Sequence, residues 1–442
     1  MVLALAFGLV LAFAPHARAQ IALDAGPAIG ALAPRSVSVW LRVAGIAEGA
    51  DDTARAANTL RCEVVDRAGT AQERVVAETH AVAMAATDGT VRFDLAGLAE
   101  GAAYAYRVRA AADGRIIAQG SFRTPQADAP TARIAFGSCA DIDDATAATW
   151  RAILGERPDA LVLIGDTPYI DSTDLAKQRA RYLAFAKAPD FAALVASTPL
   201  YATWDDHDIG RNDTDGRLPG KENARQAFLE YRANPSAGDG AADGIYTSFR
   251  HGPAEVFVLD TRWFAATERS TQDPQKPSLL GERQWTWLGE RLAASTAPVK
   301  IVASSMVWHD LRSATKRDHW GAYPHEFERF SQLVKSTRAS GVVLVSGDIH
   351  RSRVLTHRAS DAAGEDLVEI VTSPLHARAF SSGAISGPDV AFDKDIARSY
   401  LVIDCDASDP AAPKAVVRIK DAAGTTHYER TIALRARVDA RK

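Results

Sequence analysis

At 442 residues, with 47% hydrophobic and 24% charged side chains, the chain has the composition of a globular protein with room for two or three cored domains, which excludes the disordered and fibrous classes. A formal net charge of −4 supplies no basic field for nucleic acid or an anionic membrane surface, so an anionic ligand has to be held locally.

Residues 1–19, MVLALAFGLVLAFAPHARA, read as a secretory signal peptide, with an apolar run from Val2 to Ala14 and an Ala17-Arg18-Ala19 end before Gln20. The run is short for a membrane span. No Lys or Arg precedes it, and the missing positive region is expected upstream of this start. The mature protein is expected to be soluble, exported to the periplasm or the extracellular space, and monomeric. The three cysteines leave one at least unpaired. Cys62 and Cys405 sit in strand-like runs as small buried residues, whereas Cys139 ends a strand, in IAFGSCAD.

From residue 21 to 125 short alternating strands follow one another (RSVSVWLRV, TLRCEVVD, RVVAETHAVAM, TVRFDL, AYAYRVRA, RIIAQGSFRT), the pattern of a β-sandwich. Gly97-Leu98 through Tyr104 to Val108 resembles the tyrosine-bearing corner of fibronectin type III-like domains. PQADAPT, Pro125 to Thr131, is a linker. Over 131–437 strands (RIAFGS, ALVLIG, LYATWD, AEVFVLD, VKIVAS, GVVLVSG, LVEIVTS) alternate with helical stretches (DATAATWRAILGE, LAKQRARYLAFAKAPDFAALVAS, ERQWTWLGERLAAS, HEFERFSQLVKSTRAS), the pattern of an α/β domain. The tail from Ser399 returns to strands and is expected to complete a sheet of that domain.

LVLIGDTPYID, Leu161 to Asp171, is the organising stretch, a buried strand that delivers Asp166 and Tyr169 at its carboxyl end, where open α/β sheets bind ligands. Other strands end alike. The first delivers Cys139 and Asp141; LYATW runs into Asp205, Asp206, His207 and Asp208, with Arg211, Asn212 and Asp213 after them; GVVLVSG runs into Asp348 and His350. If these ends share a cleft, Arg211 and Arg351 are too few to neutralise the carboxylates, and unpaired buried charge costs several kcal/mol per ion. Bound metal answers this. Thiolate, phenolate and imidazole suit iron or another transition metal, Asp and Asn oxygens suit calcium, magnesium or manganese, and two unlike metals could share a bridging Asp.

FGSCAD, GDTPY, TWDDHDIGRND, LDTR, the DHWGAYP stretch and SGDIH together resemble the alkaline phosphatase D (PhoD-like) phosphoesterases, a branch of the metallophosphoesterases. The resemblance implies a fibronectin-like N-terminal domain ahead of a four-layer α/β/β/α catalytic domain, and a site holding iron with calcium. It would make Cys139, Asp166, Tyr169 and His350 the iron ligands, with Asp166 bridging to calcium and Asn212 and Asp348 completing the second site. Asp205, Asp206 and Asp208 would be ligands or orienters of ligands, Asp206 being counted among the ligands. His207 would polarise the phosphate or protonate the leaving group. The purple acid phosphatases share the design, but Cys139 replaces their first-strand Asp and TWDDHD their Gly-Asn-His motif.

The expected activity is hydrolysis of phosphate esters by metal-activated water, with Asp166 and His207 at the centre of the chemistry. Phosphodiesterase or phospholipase D-like action on diesters is the alternative within enzymes; a non-catalytic exported metal-containing binding protein is the alternative outside them. Arg312, Lys316 and Arg317 are the cations expected to meet substrate. His309 falls where many metallophosphoesterases carry a further ligand, with a strand-end histidine as the plainer reading. For Asp260 and Arg262 an internal ion pair stands beside substrate contact.

Overall fold

The structure, a computed structural model, describes residues 20–49, 51–240, 243–309, 316–358 and 366–435. The expected signal peptide at 1–19, Arg312 and the last two residues of the expected second domain lie outside them.

Two antiparallel sheets make up the N-terminal part. One pairs Ala22–Ala33, Ser36–Ala44 and Thr90–Ala96; the other orders Arg74–Val82, Thr59–Asp66, Ala103–Ala110 and Ile116–Arg123. Alternate residues face inward, as the period of two requires. Val39, Leu41 and Phe93 from the first sheet meet Leu60, Val64, Tyr106 and Val108 from the second in one core. Tyr104 Oη accepts from the Ala99 backbone N–H at 2.9 Å and ties down the entry to its strand.

The first strand, ALDAGPAIGALA, lies outside the sequence-based reading because Ala and Gly have little intrinsic strand preference. Its smallness has a use: a Cβ on Gly30 would lie 2.5 Å from the Ala233 carbonyl oxygen, so only glycine lets this strand press on the following domain. Trp40 Nε1 donating to the Glu230 carbonyl (2.7 Å) and Tyr201 Oη donating to that of Leu32 (3.1 Å) continue the contact.

The second part holds two larger mixed sheets. The six-stranded one orders Leu200–Thr203, Ala160–Ile164, Thr131–Gly137, Ser399–Asp406, Lys414–Asp421 and Thr426–Ala433; its first three strands are parallel, and the chain's tail completes it. The seven-stranded one orders Thr247–His251, Ala254–Val258, Val299–Ala303, Val342–Ser346, Leu367–Val371, Ser352–His357 and Val390–Lys394, with four parallel strands in its middle.

The central strands are apolar throughout because both faces are covered. Ile134, Phe136, Val162 and Ile164 meet Val256, Ile301 and Val343 between the sheets. Ala135, Leu161 and Leu163 turn the other way, toward Trp150, Phe185 and Phe191 on helices, and Phe257, Val302 and Leu344 likewise face Trp285, Leu288 and Phe330. Each large side chain so enclosed contributes about 1.5–3 kcal/mol of burial. The helical stretch after Asp174 divides into Leu175–Ala186 and Pro189–Val195, because Pro189 cannot continue a helix but suits the first turn of a new one.

Candidate metal centre

The parallel strands of the two sheets discharge into one cleft. Ser138 Oγ donates to the Thr372 carbonyl (2.9 Å), and the His376 N–H donates to the Cys139 carbonyl (3.2 Å), which fastens the end of one sheet to that of the other. Cys139, Asp166, Asp348 and His350 all have φ between 53° and 66°, the left-handed region that β-carbons resist. Each such turn costs on the order of 1–3 kcal/mol, and together they swing four strand-end side chains back into the cleft. Hydrogen bonds hold the strained turn of Asp166: the Asp208 carboxylate accepts from the N–H groups of Asp166, Thr167 (2.9 Å) and Asp205 (2.8 Å), and Arg232 Nη2 donates to the Thr167 carbonyl at 2.5 Å.

The donor atoms of Cys139, Asp166 and His350 lie within 4.8 Å of one another, as do those of Asp166, Asp206 and His207. Cys139 Sγ is 3.6 Å from Asp166 Oδ2, and Tyr169 Oη is 2.9 Å from His350 Nε2. His350 Nδ1 is 2.6 Å from the Arg378 carbonyl, an acceptor only. Its proton therefore sits on Nδ1, and Nε2 turns a lone pair toward Tyr169 and Cys139. Asn212, Asp348 and Lys316 line the same cleft, of about 580 Å³. The structure thus brings together Cys139, Asp166, Tyr169, Asp206, His207, Asn212, Asp348, His350 and Lys316.

Electrostatically the centre is overloaded. Burial, then Asp206, Asp205, Asp208 and Asp348, push the Asp166 carboxyl well above its ordinary range. Burial and Asp166 do the same to the Cys139 thiol, and burial and Cys139 to the Tyr169 phenol. Burial and His376 bring His350 down to about 4, and burial and Arg378 bring His376 down to about 4. Asp166 Oδ1 is buried with no hydrogen-bond partner. A carboxylate oxygen in that position, among a thiol, a phenol and an imidazole lone pair, fits a bound cation, which would supply the partner and offset the charge that the surrounding carboxylates oppose.

The TWDDHD aspartates divide their work. Asp205 receives the Arg262 guanidinium, which is fully buried and also stands 3.8 Å from Asp206 and 3.9 Å from Asp318. Asp208 is occupied with backbone N–H groups, and Asp206 remains beside Asp166. His207 Nδ1 is 2.6 Å from Asp171 Oδ1. Burial opposes the charged ring, but Asp206, Asp171 and Asp205 outweigh it and raise its pKa.

Some expectations need correction. Arg317 lines a separate cavity with Arg217, Arg269, Lys276 and Tyr323, while its neighbour Lys316 meets Asp213 at 2.5 Å in the cleft, so the two side chains serve different surfaces. Asp260 does not pair with the Arg262 side chain. Its carboxylate accepts from the N–H groups of Ile245, Arg262 and Trp263 and from Trp204 Nε1, so it braces the loop that aims Arg262 at Asp205.

His309 lies outside the donor cluster, 3.2 Å from Arg353 in a buried network with Glu369. Burial alone would raise Glu369, but His357, His309 and Ser346 bring it from 4.5 down to about 2. A depressed folded pKa gives stability present above 4.5 and lost as pH falls toward 2, about 3 kcal/mol in all. Glu369→Gln should remove that component and flatten the acid limb of stability, read from urea unfolding at stepped pH; an unchanged acid limb would refute the network.

His376, 3.3 Å from Tyr169 Oη, escaped the sequence reading. It follows the strand LVEIVTS, and the rule that selected the other strand ends would have found it. Arg181, Arg378 and Phe380, which also line the cleft, carry no comparable signal.

Two family descriptions match the chain: the PhoD-like phosphatase over residues 134–401 and the PhoD-like phosphatase N-terminal domain over residues 10–126. The chain belongs to the PhoD-like phosphatase family. Alkaline phosphatase D of Bacillus subtilis (strain 168) is 26% identical over 276 residues, 52% of this chain and 47% of that protein, so the match spans about half the length of that relative. Among solved structures, that of PhoD superposes with a TM-score of 0.72 at 20% identity, covering 97% of this chain and 95% of the other. Purple acid phosphatase PPD1 from yellow lupin (Lupinus luteus) seeds gives 0.61 at 13% identity, covering 94% and 74%. At these identities the two structures speak for the fold. For this family member, no helix among the described residues is long and apolar enough to cross a membrane.

Proposed function

We propose that this PhoD-like chain is an exported metal-dependent phosphoesterase whose metals are held by Cys139, Asp166, Tyr169 and His350 on one side and by Asp166, Asp206, Asn212 and Asp348 on the other. The observation that carries this is the buried, unpartnered Oδ1 of Asp166 among three donors of different chemistry. Thiol, phenol and imidazole donors favour iron on the first side, and carboxylate and amide oxygens favour calcium on the second. When bound, such cations would offset the charge of the phosphate oxygens and lower the pKa of the attacking water.

The chain's own residues supply the rest. His207 donates from Nδ1 to the Asp171 carboxylate, and its charged form, which the raised pKa favours, carries a second proton on Nε2 to give to the leaving oxygen, returning to the neutral ring. Lys316 offers its ammonium to a phosphate oxygen, and its bond to Asp213 keeps it at the cleft. Export rests on the leader at 1–19. The division into a fibronectin-like domain (21–125) and a four-layer catalytic domain (131–437) is supported by the tyrosine-tied strand and by the helices packed outside the paired sheets.

The test is hydrolysis of a chromogenic phosphate monoester against the matching diester by the purified protein, each with calcium and with a chelator. Chelator-sensitive turnover of the monoester is the expected result. Preference for the diester would move the reading to a phosphodiesterase at the same centre, and no turnover of either despite bound metal would bring the binding-protein reading forward.

A further inference from the structure

Large apolar side chains are exposed at few places among the described residues, and one of them, Phe380, 49% exposed, lines the metal cleft. Of the other apolar side chains of that lining, Ile170 and Ile349 are buried at 2% and 8%, and the half-buried Tyr169 ring is packed by His207 and His376 and overlaid by the Arg378 guanidinium. Phe380 is therefore the principal apolar surface that the cleft offers to a ligand, beside carboxylates, cations and imidazoles.

The ring is fixed in place. One face lies on His350, with centroids 4.4 Å apart and planes 9° apart. The Phe380 N–H donates to the His350 carbonyl (3.1 Å), and Arg351 Nη1 donates to the Phe380 carbonyl (2.5 Å). Arg351 is itself anchored on Asp393, at 2.9 and 3.2 Å, which also holds Arg353. A ring clamped at both backbone groups and stacked on one side loses little freedom when a second ring covers its other face, so contact there is not offset by ordering cost.

We propose that Phe380 is the leaving-group platform of this centre, selecting phosphoesters whose alcohol side carries a planar aromatic ring, an aryl group or a nucleobase, over those with a plain alkyl alcohol. The inference rests on the phosphoesterase reading above and specifies the substrate class of that site. Stacking of this kind gives a discrimination of about five- to a hundredfold.

The experiment compares full-length wild type with Phe380→Leu, which keeps apolar bulk against His350, and Phe380→Trp, which keeps a stacking face. For each, kcat/KM is measured on phenyl phosphate, a nucleoside 5′-monophosphate and glycerol phosphate. Phe380→Leu should lower the ratio of the aromatic ester to glycerol phosphate about tenfold, mainly through KM, and Phe380→Trp should hold or raise it. A fall confined to phenyl phosphate assigns the platform to aryl groups, and one confined to the nucleotide assigns it to bases. Equal losses on all three esters in Phe380→Leu mean that the ring only props His350, and they overturn the proposal. Absence of turnover by wild type on every ester overturns the phosphoesterase reading itself, and the platform with it.

Discussion

Asp166→Asn should abolish bound metal and turnover together while leaving the metal-free protein more stable than the unsubstituted chain. The amide would keep the shape of the side chain and lose its charge at the point where Asp205, Asp206, Asp208 and Asp348 all press on it. Two metal positions share this residue in the proposed centre, so the expected fall in kcat/KM is on the order of 10³-fold or more. In chelator the same change relieves repulsion that no cation offsets, a gain of about 1–2 kcal/mol, because catalytic centres are built at the expense of stability. Elemental analysis, ester hydrolysis and urea unfolding in chelator read the three parts separately. Wild-type turnover in the variant would sink the assignment of Asp166. Loss of turnover with a clear loss of metal-free stability would show instead that Asp166 serves the fold.

Which parts of this centre were legible from residue order follows from how far each side chain reaches from a strand. Cys139 and Asp166 stand within a few residues of the ends of neighbouring parallel strands in the six-stranded sheet, which must end along one edge, and Asp348 and His350 stand equally close to the end of a parallel strand in the seven-stranded sheet. Convergence within each sheet is therefore written in the pattern, whereas the meeting of the two sheet ends rests on contacts such as that of Ser138 with Thr372, which local spacing does not show. His376 obeys the same rule at a slightly longer reach, past Val371. Phe380 and Arg378 do not. Their place over His350 and Tyr169 depends on the path of a loop fixed by Arg351 and Asp393, a pair 42 residues apart in the chain. Local spacing carries no information about such a closure. The division between Lys316 and Arg317 fails for the same reason, since a charge run names the residues but not the side of the backbone each one takes. In the N-terminal sheets the alternating strands were readable, and the Ala- and Gly-rich one was not, because its stability comes from its neighbours rather than from its own side chains.

Arg262→Met should cost about 3–5 kcal/mol of folding stability, measured by urea unfolding in chelator so that metal loss does not contribute. The guanidinium is wholly enclosed. Nε meets Asp205, Nη1 donates to the Thr214 carbonyl at 2.9 Å, and Nη2 stands between Asp206 and Asp318 without a hydrogen bond of its own. Burial disfavours the cation, yet Asp205 and Asp206 outweigh it and raise its pKa well above the ordinary value. Methionine fills much of the same space and leaves those buried carboxylates without their shared counter-charge. Arg262→Lys should fail nearly as badly, since one ammonium cannot span Asp205, Thr214 and the Asp206–Asp318 gap at once. Pairing Arg262→Met with Asp205→Leu removes both ends of the closest contact and should recover part of the loss, because the penalty lies in the stranded charge rather than in the missing bond. A single-variant loss under about 1 kcal/mol would mean that solvent or proton uptake neutralises the aspartates, and Arg262 would then be no keystone of the metal centre. Loss of the full amount, with recovery in the double variant, would mean that the fold keeps Asp206 in place beside Asp166 through one buried cation on a neighbouring strand end.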